Sequence, residues 1–139
     1  VPKRRYEDYD QPYKTPMILH EAGVRFCISN STSSFQTPHI RDLPYHAAMA
    51  SSFGLNPEEA LRAITLSTAE ILGIDNKVGS LEVGKDATLF IADGDILDIR
   101  TNVEQAYILG KRVDMSDRQK MLYEKYTQKY IQNGILPNE

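Results

Sequence analysis

The sequence predicts an α/β fold, and three observations carry that reading. Residues 15–29 read as a helix, a glycine and a short apolar strand, and the polar run Asn30-Ser31-Thr32-Ser33-Ser34 follows. That order is the α-then-β half of a parallel unit. Helix-start signals recur at Asp42-Leu43-Pro44, Asn56-Pro57-Glu58-Glu59 and Ser67-Thr68-Ala69-Glu70. From Asp75 onward the pattern changes to short strand-like runs punctuated by glycine.

Length and composition bound the answer. The 139 residues suit about one domain and fall well short of the roughly 250 that a complete (β/α)8 barrel needs. A chain of this size is expected to bury about two thirds of its unfolded surface. With 41% hydrophobic and 25% charged residues the composition is globular and argues against disorder. A net charge of -3 without a basic stripe argues against a nucleic-acid partner, because phosphate contacts supply most of that affinity. Apolar runs are too short to cross a bilayer, so no membrane partner is expected. The chain opens Val1-Pro2-Lys3-Arg4-Arg5 without Met and without a following apolar stretch. It therefore carries no secretory signal there and reads as an internal piece, a processed product or a trimmed chain.

The elements follow in order. Residues 1–13 hold six charges and three tyrosines between Pro2 and Pro12, and read as an irregular segment that packs through Tyr6, Tyr9 or Tyr13. A helix is predicted over 15–22, with Thr15 as cap, Pro16 in its first turn and Gly23 as stop. Residues 24–29 form the strand candidate, with Cys27 as a small buried hydrophobe. A helix over 43–53 is capped by Asp42 and stopped by Gly54, and its alanines permit close packing. Asn56 caps the next helix, and Ser67 opens a short one that closes at Gly73. Residues 78–85 and 87–92 read as strands, and Gly110-Lys111 as the turn of a hairpin between 103–109 and 112–113. Ser116-Asp117-Arg118-Gln119 starts a last helix to about Gln132, with Leu122, Tyr126 and Tyr130 on one stripe and Gly134 as stop.

Few residues carry chemistry. His20, His39 and His46 are the only histidines, and no pair of them has metal-ligand spacing. Cys27 is the only cysteine, which excludes an internal disulfide. Gly79 to Gly84-Lys85 matches the first part of a phosphate-binding loop, but Asp86 replaces the required Ser or Thr and a strand follows instead of a helix. These glycines read as turn residues. The serines of 31–34 lack a nucleophile-elbow pattern. Tyr123, Tyr126 and Tyr130 read as packing residues.

Two longer stretches resemble a known family. The pair NPEEALRAITLSTAEILGI and DNKVGSLEVGKDATLFIADGD, then AYILGKRV, looks like the C-terminal signature of the amidohydrolase superfamily, closest to its imidazolonepropionase-like branch. LHEAGVRFCISN and RDLPYHAAMASSFGL resemble the same family at the last barrel strand and the helix after it. The resemblance spans roughly residues 14–113.

It implies the C-terminal fragment of a TIM-barrel amidohydrolase. Residues 1–74 would be the end of the barrel, 75–115 the strands of a small composite β-sandwich, and 116–139 a helical appendage. Such enzymes use one or two divalent metals, often zinc, to activate water against a C–N bond. No metal ligand or cofactor is assigned to this chain, because the family's ligands lie on earlier strands. One catalytic group is expected in this piece: an Asp ending the last strand. Here that position reads Ser29-Asn30, and an amide cannot take a proton from metal-bound water near neutral pH. Asn30 is thus the candidate catalytic position, in substituted form. His39 and Arg41, on the loop after it, are the candidate substrate contacts. The function implied is a metal-dependent hydrolase of a small-molecule amide, inactive as this piece alone. The rival reading is a non-catalytic structural or self-association module, pairing with a second copy through an exposed barrel edge.

Overall fold

The computed structural model describes residues 4–30, 33 and 37–137. Within the polar loop, Ser31, Thr32, Ser34, Phe35 and Gln36 lie outside the described residues, as do Val1, Pro2, Lys3, Asn138 and Glu139. Five helices, one 3₁₀ turn and a three-stranded sheet follow in chain order among the described residues: α1 (Gln11–Glu21), the 3₁₀ turn Thr37–Asp42, α2 (Leu43–Ser52), α3 (Pro57–Ala63), α4 (Leu66–Leu72), β1 (Leu89–Ala92), β2 (Val103–Ile108), β3 (Lys111–Arg112) and α5 (Arg118–Gln132). The fold therefore mixes helices with β-structure, as the sequence predicts.

α1 begins four residues before the expected start. Pro12 takes the N-terminal position that tolerates a missing N–H, and Lys14 pairs with Asp10 at 2.6 Å across the first turn. Thr15 does not cap. It lies inside the helix, and its hydroxyl donates to the Gln11 carbonyl at 2.9 Å. Tyr13 stacks on Phe53 with ring centroids 5.0 Å apart, tying α1 to the end of α2.

The helices pack through alanine. Ala47, Ala50, Leu55 and Ala60 form one buried cluster, with Met17, Phe26, Ile28, Ile64 and Leu97 against it. Methyl side chains let α2 and α3 approach closely. Leu55 is the largest side chain that is fully buried among the described residues. The loop after β1 joins the helices at Leu97.

Residues 24–30 carry no regular secondary structure and form no strand. This corrects the strand expected over 24–29. A strand is defined by its partner, and none flanks this segment among the described residues. Two main-chain bonds tie it to the helices, from Val24 N to the Leu19 carbonyl at 2.9 Å and from Ile28 N to the Ala63 carbonyl at 3.1 Å. Cys27 within it is half-buried.

Residues 78–85 form turns, as their glycines are read, and not the strand expected over this stretch. Lys85 folds back, donating to Glu82 at 3.0 Å and to the Ser80 hydroxyl, and Asp86 N closes the loop on the Lys77 carbonyl at 2.8 Å. At Gly79, φ is +100°, and an added Cβ would stand 2.7 Å from Ala69 Cβ and 3.0 Å from Leu66 Cα.

The sheet is antiparallel in the order β1-β2-β3, with Leu89 opposite Tyr107 and Ile108 opposite Lys111. That register makes Leu109-Gly110 the two-residue turn, one position earlier than expected, with φ of 51° and 75°. α5 is capped by Asp117, which accepts from Lys120 N at 2.8 Å. It packs against no other element among the described residues.

Exposed surface is large. The chain presents 11017 Å², against about 7,300 Å² for a compact monomer of 15.7 kDa. It hides about half of its unfolded surface rather than the two thirds expected from length.

Candidate functional site

The run 24–30 ends at Asn30, and the chain returns to it through the 3₁₀ turn that leads into α2. Asn30 Nδ2 donates to the His39 carbonyl oxygen at 2.8 Å. This bond anchors the turn to the end of that run, nine residues back. Thr37 adds a second anchor, its N–H and hydroxyl both donating to the Ser33 carbonyl at 3.0 and 3.1 Å.

A 3₁₀ helix has three residues per turn, so side chains at i and i+3 lie one above the other. That geometry brings His39 Nδ1 to 3.1 Å from Asp42 Oδ2. Arg41 Nε stands 3.6 Å from the other oxygen, Oδ1. Asp42 is half-buried, whereas His39 and Arg41 are 61% and 83% exposed. An ionised carboxylate only accepts, so Nδ1 is the donor in this contact.

The structure therefore brings all three sequence-predicted residues to one place. Asn30 holds the main chain of the turn, and His39 and Arg41 share one carboxylate. Asp42 is the residue that sequence reading missed. It was expected to cap α2, yet its side chain makes no capping bond there. Its signal is the i,i+3 spacing from His39 combined with Pro38 and Pro44, which favour a tight turn before the helix.

This arrangement can orient an imidazole and offer a guanidinium to an anionic or carbonyl group. It does not fit a metal ion by itself. Among the described residues no group of three or more His, Cys, Asp or Glu side chains converges. His46 lies exposed on α2, and His20 faces Glu59 across α1 and α3 at 3.7 Å. The phosphate-loop fragment is likewise accounted for, because Lys85 is engaged by Glu82 and Ser80.

Residues 15–121 match the Amidohydrolase family. The chain is 35% identical over 103 residues to imidazolonepropionase of Shewanella frigidimarina (strain NCIMB 400), covering 74% of this chain and 22% of that protein. It is 36% identical over 93 residues to imidazolonepropionase of Shewanella baltica (strain OS185), with 67% and 22% covered. Among solved structures, an amidohydrolase from Thermotoga maritima MSB8 superposes with a TM-score of 0.67 at 31% identity, over 73% of this chain and 26% of that one. The chain spans about a fifth (22%) of the length of the curated relatives it matches.

Proposed function

Since the chain belongs to the amidohydrolase family, we propose that it is the C-terminal part of a metal-dependent hydrolase acting on a carbon–nitrogen bond in a small cyclic or peptide-like amide. The observation that carries this is the family match over residues 15–121, joined to imidazolonepropionase relatives more than four times the length matched. Residues 24–30 are then the last strand of a TIM barrel awaiting its neighbour, and the β1-β2-β3 sheet is a share of a composite sandwich. The position of residues 24–30, between α1 and the turn into α2 and inside the matched region, supports the first assignment.

The metal centre is assigned to the rest of such a protein, not to this chain. Here the amide of Asn30 positions the turn, and His39 and Arg41 meet the substrate. The 139 residues alone are inactive on this reading.

Complementation tests it. The chain is mixed with an imidazolonepropionase from Shewanella frigidimarina cut to lack its own C-terminal quarter, zinc is supplied, and hydrolysis of a panel of cyclic amides is followed. Activity is expected from the mixture and not from either part. Hydrolysis by the chain alone, or a mixture that stays inactive although the parts co-elute, sinks the reading. In the active mixture Asn30→Asp raises the rate if a lost proton acceptor limits it, and leaves the pH profile unchanged if the base lies elsewhere.

The second reading, a self-association module, is favoured by one observation: the chain exposes about half as much surface again as a compact monomer of its mass.

A further inference from the structure

Among the described residues α5 packs against no other element, and most of it, Leu122 to Gln132, lies beyond the family match. Its pattern is amphipathic. Leu122, Tyr126 and Tyr130 line up at i, i+4 and i+8, while Arg118, Lys125 and Lys129 form a basic ridge beside them at i, i+7 and i+11. Lys129 Nζ lies 6.0 Å over the Tyr126 ring, at the junction of the two stripes. The helix holds four basic residues and one acidic, a charge of +3. The remaining residues hold twelve basic and eighteen acidic, a charge of -6. A solitary helix of 15 residues is marginal in water, so α5 needs a cover for its aromatic face. Pairing α5 with α5 would place two +3 helices side by side.

A groove of complementary character lies between α2 and the loop after β1. It is an open groove of about 470 Å³ whose lining includes Tyr45, Met49, Leu97, Ile99, Asp95 and Asp98, with no Lys or Arg among the described residues that line it. Arg100 holds Asp98 at 2.6 Å, and even with that cation counted the groove stays acidic. Tyr45, Met49 and Ile99 are all exposed.

We propose that α5 of one copy docks its Leu122-Tyr126-Tyr130 face into the α2 groove of a second copy, with Lys125 and Lys129 against Asp95 and Asp98, and that the exchange is reciprocal. This is an isologous dimer, in which both copies use the same two surfaces. The excess surface is large enough for it. Each chain exposes about 3,700 Å² more than a compact monomer, and an obligate dimer removes roughly 1,000–2,500 Å² from each partner. The inference deepens the self-association reading given above and rests on it.

Sedimentation of the intact chain at tens of micromolar should give twice the monomer mass, and high salt should weaken the association by screening. Carbodiimide cross-linking of mixed isotopically light and heavy chains should join Lys125 or Lys129 of one copy to Asp95 or Asp98 of the other. Tyr126→Glu should return the chain to monomer with the helical signal of the remainder kept. A monomer at every concentration overturns the proposal. So do cross-links confined to one chain, cross-links between two α5 helices, a Tyr126→Glu variant that stays dimeric, or a monomer whose α5 instead binds phosphatidylserine vesicles.

Discussion

His39 Nδ1 stands 3.1 Å from Asp42 Oδ2, three residues apart on a single turn of 3₁₀ helix. The carboxylate that would ordinarily serve the first N–H groups of α2 serves an imidazole instead. One consequence can be measured. Asp42→Asn should remove the preference for a proton on Nδ1, and side-chain nitrogen shifts of His39 should move toward the mixture of tautomers found in free imidazole. Unchanged shifts would mean that the pair does not persist in solution.

Helix capping separates two positions that look alike in sequence. Asn56 accepts from Glu58 N at 2.9 Å, so Asn56→Ala should cost about 1 kcal/mol in urea unfolding. Asp42 makes no such bond, and Asp42→Ala should cost less than about 0.5 kcal/mol. Equal losses would contradict the geometry at α2.

Gly79→Ala should destabilise by about 2 kcal/mol or more, lowering the urea midpoint without changing the slope. A methyl there meets Ala69 Cβ and the Leu66 backbone in addition to adopting positive φ. Gly84→Ala is the control: φ is +97° but nothing lies within 4 Å, so only the conformational cost of about 1 kcal/mol remains.

Leu109→Asn should stabilise by about 1 kcal/mol, because Asn tolerates the left-handed backbone that Leu109 adopts and Leu109 is largely exposed. Thermal unfolding of the variant should shift upward, and a downward shift would mean that Leu109 packs.

Asp98 titrates far below the ordinary carboxylate value. The Arg100 guanidinium, and then the Arg100 backbone N–H, hold it at about 2. Because the folded value is depressed, its contribution is complete above the unfolded value near 4 and is lost as pH falls through 2. Carboxyl chemical shifts of Asp98 should show that midpoint, and Arg100→Gln should raise it. The pair is exposed, so salt should narrow the difference.

Local signals were the legible ones. Asn56-Pro57 and Asp117 start helices because their carboxamide and carboxylate reach N–H groups within three residues, and Gly73 ends α4 with φ of 69°. Strand β1 is visible in Leu89-Phe90-Ile91, and the alanines of α2 point to close packing. What failed depends on partners. Residues 24–29 have the apolar content of a strand, yet pairing is decided by a neighbour that the segment itself does not encode. The start of α1 was misplaced because Pro12 and Pro16 both suit a first turn, and the Asp10–Lys14 pair favours the earlier one. At the candidate site Asn30, His39 and Arg41 can be named from the sequence, while the carboxylate that His39 and Arg41 share is hidden by the ambiguity of an Asp before Leu-Pro. The relation between Asn30 and the His39 carbonyl crosses nine residues, and periodicity carries no trace of it.

The alanine interior has a calorimetric consequence. Heat capacity rises on unfolding in proportion to apolar area newly wetted. Here Ala47, Ala50, Ala60, Ala63 and Ala69 are the interior, with Leu55 alone among larger side chains fully enclosed among the described residues. A lone copy should therefore melt with a shallow baseline step and a broad, weakly cooperative endotherm. Any association that seals the Tyr45–Ile99 groove should sharpen the transition and enlarge the step, so one scan at two concentrations reports how much of the interior is borrowed.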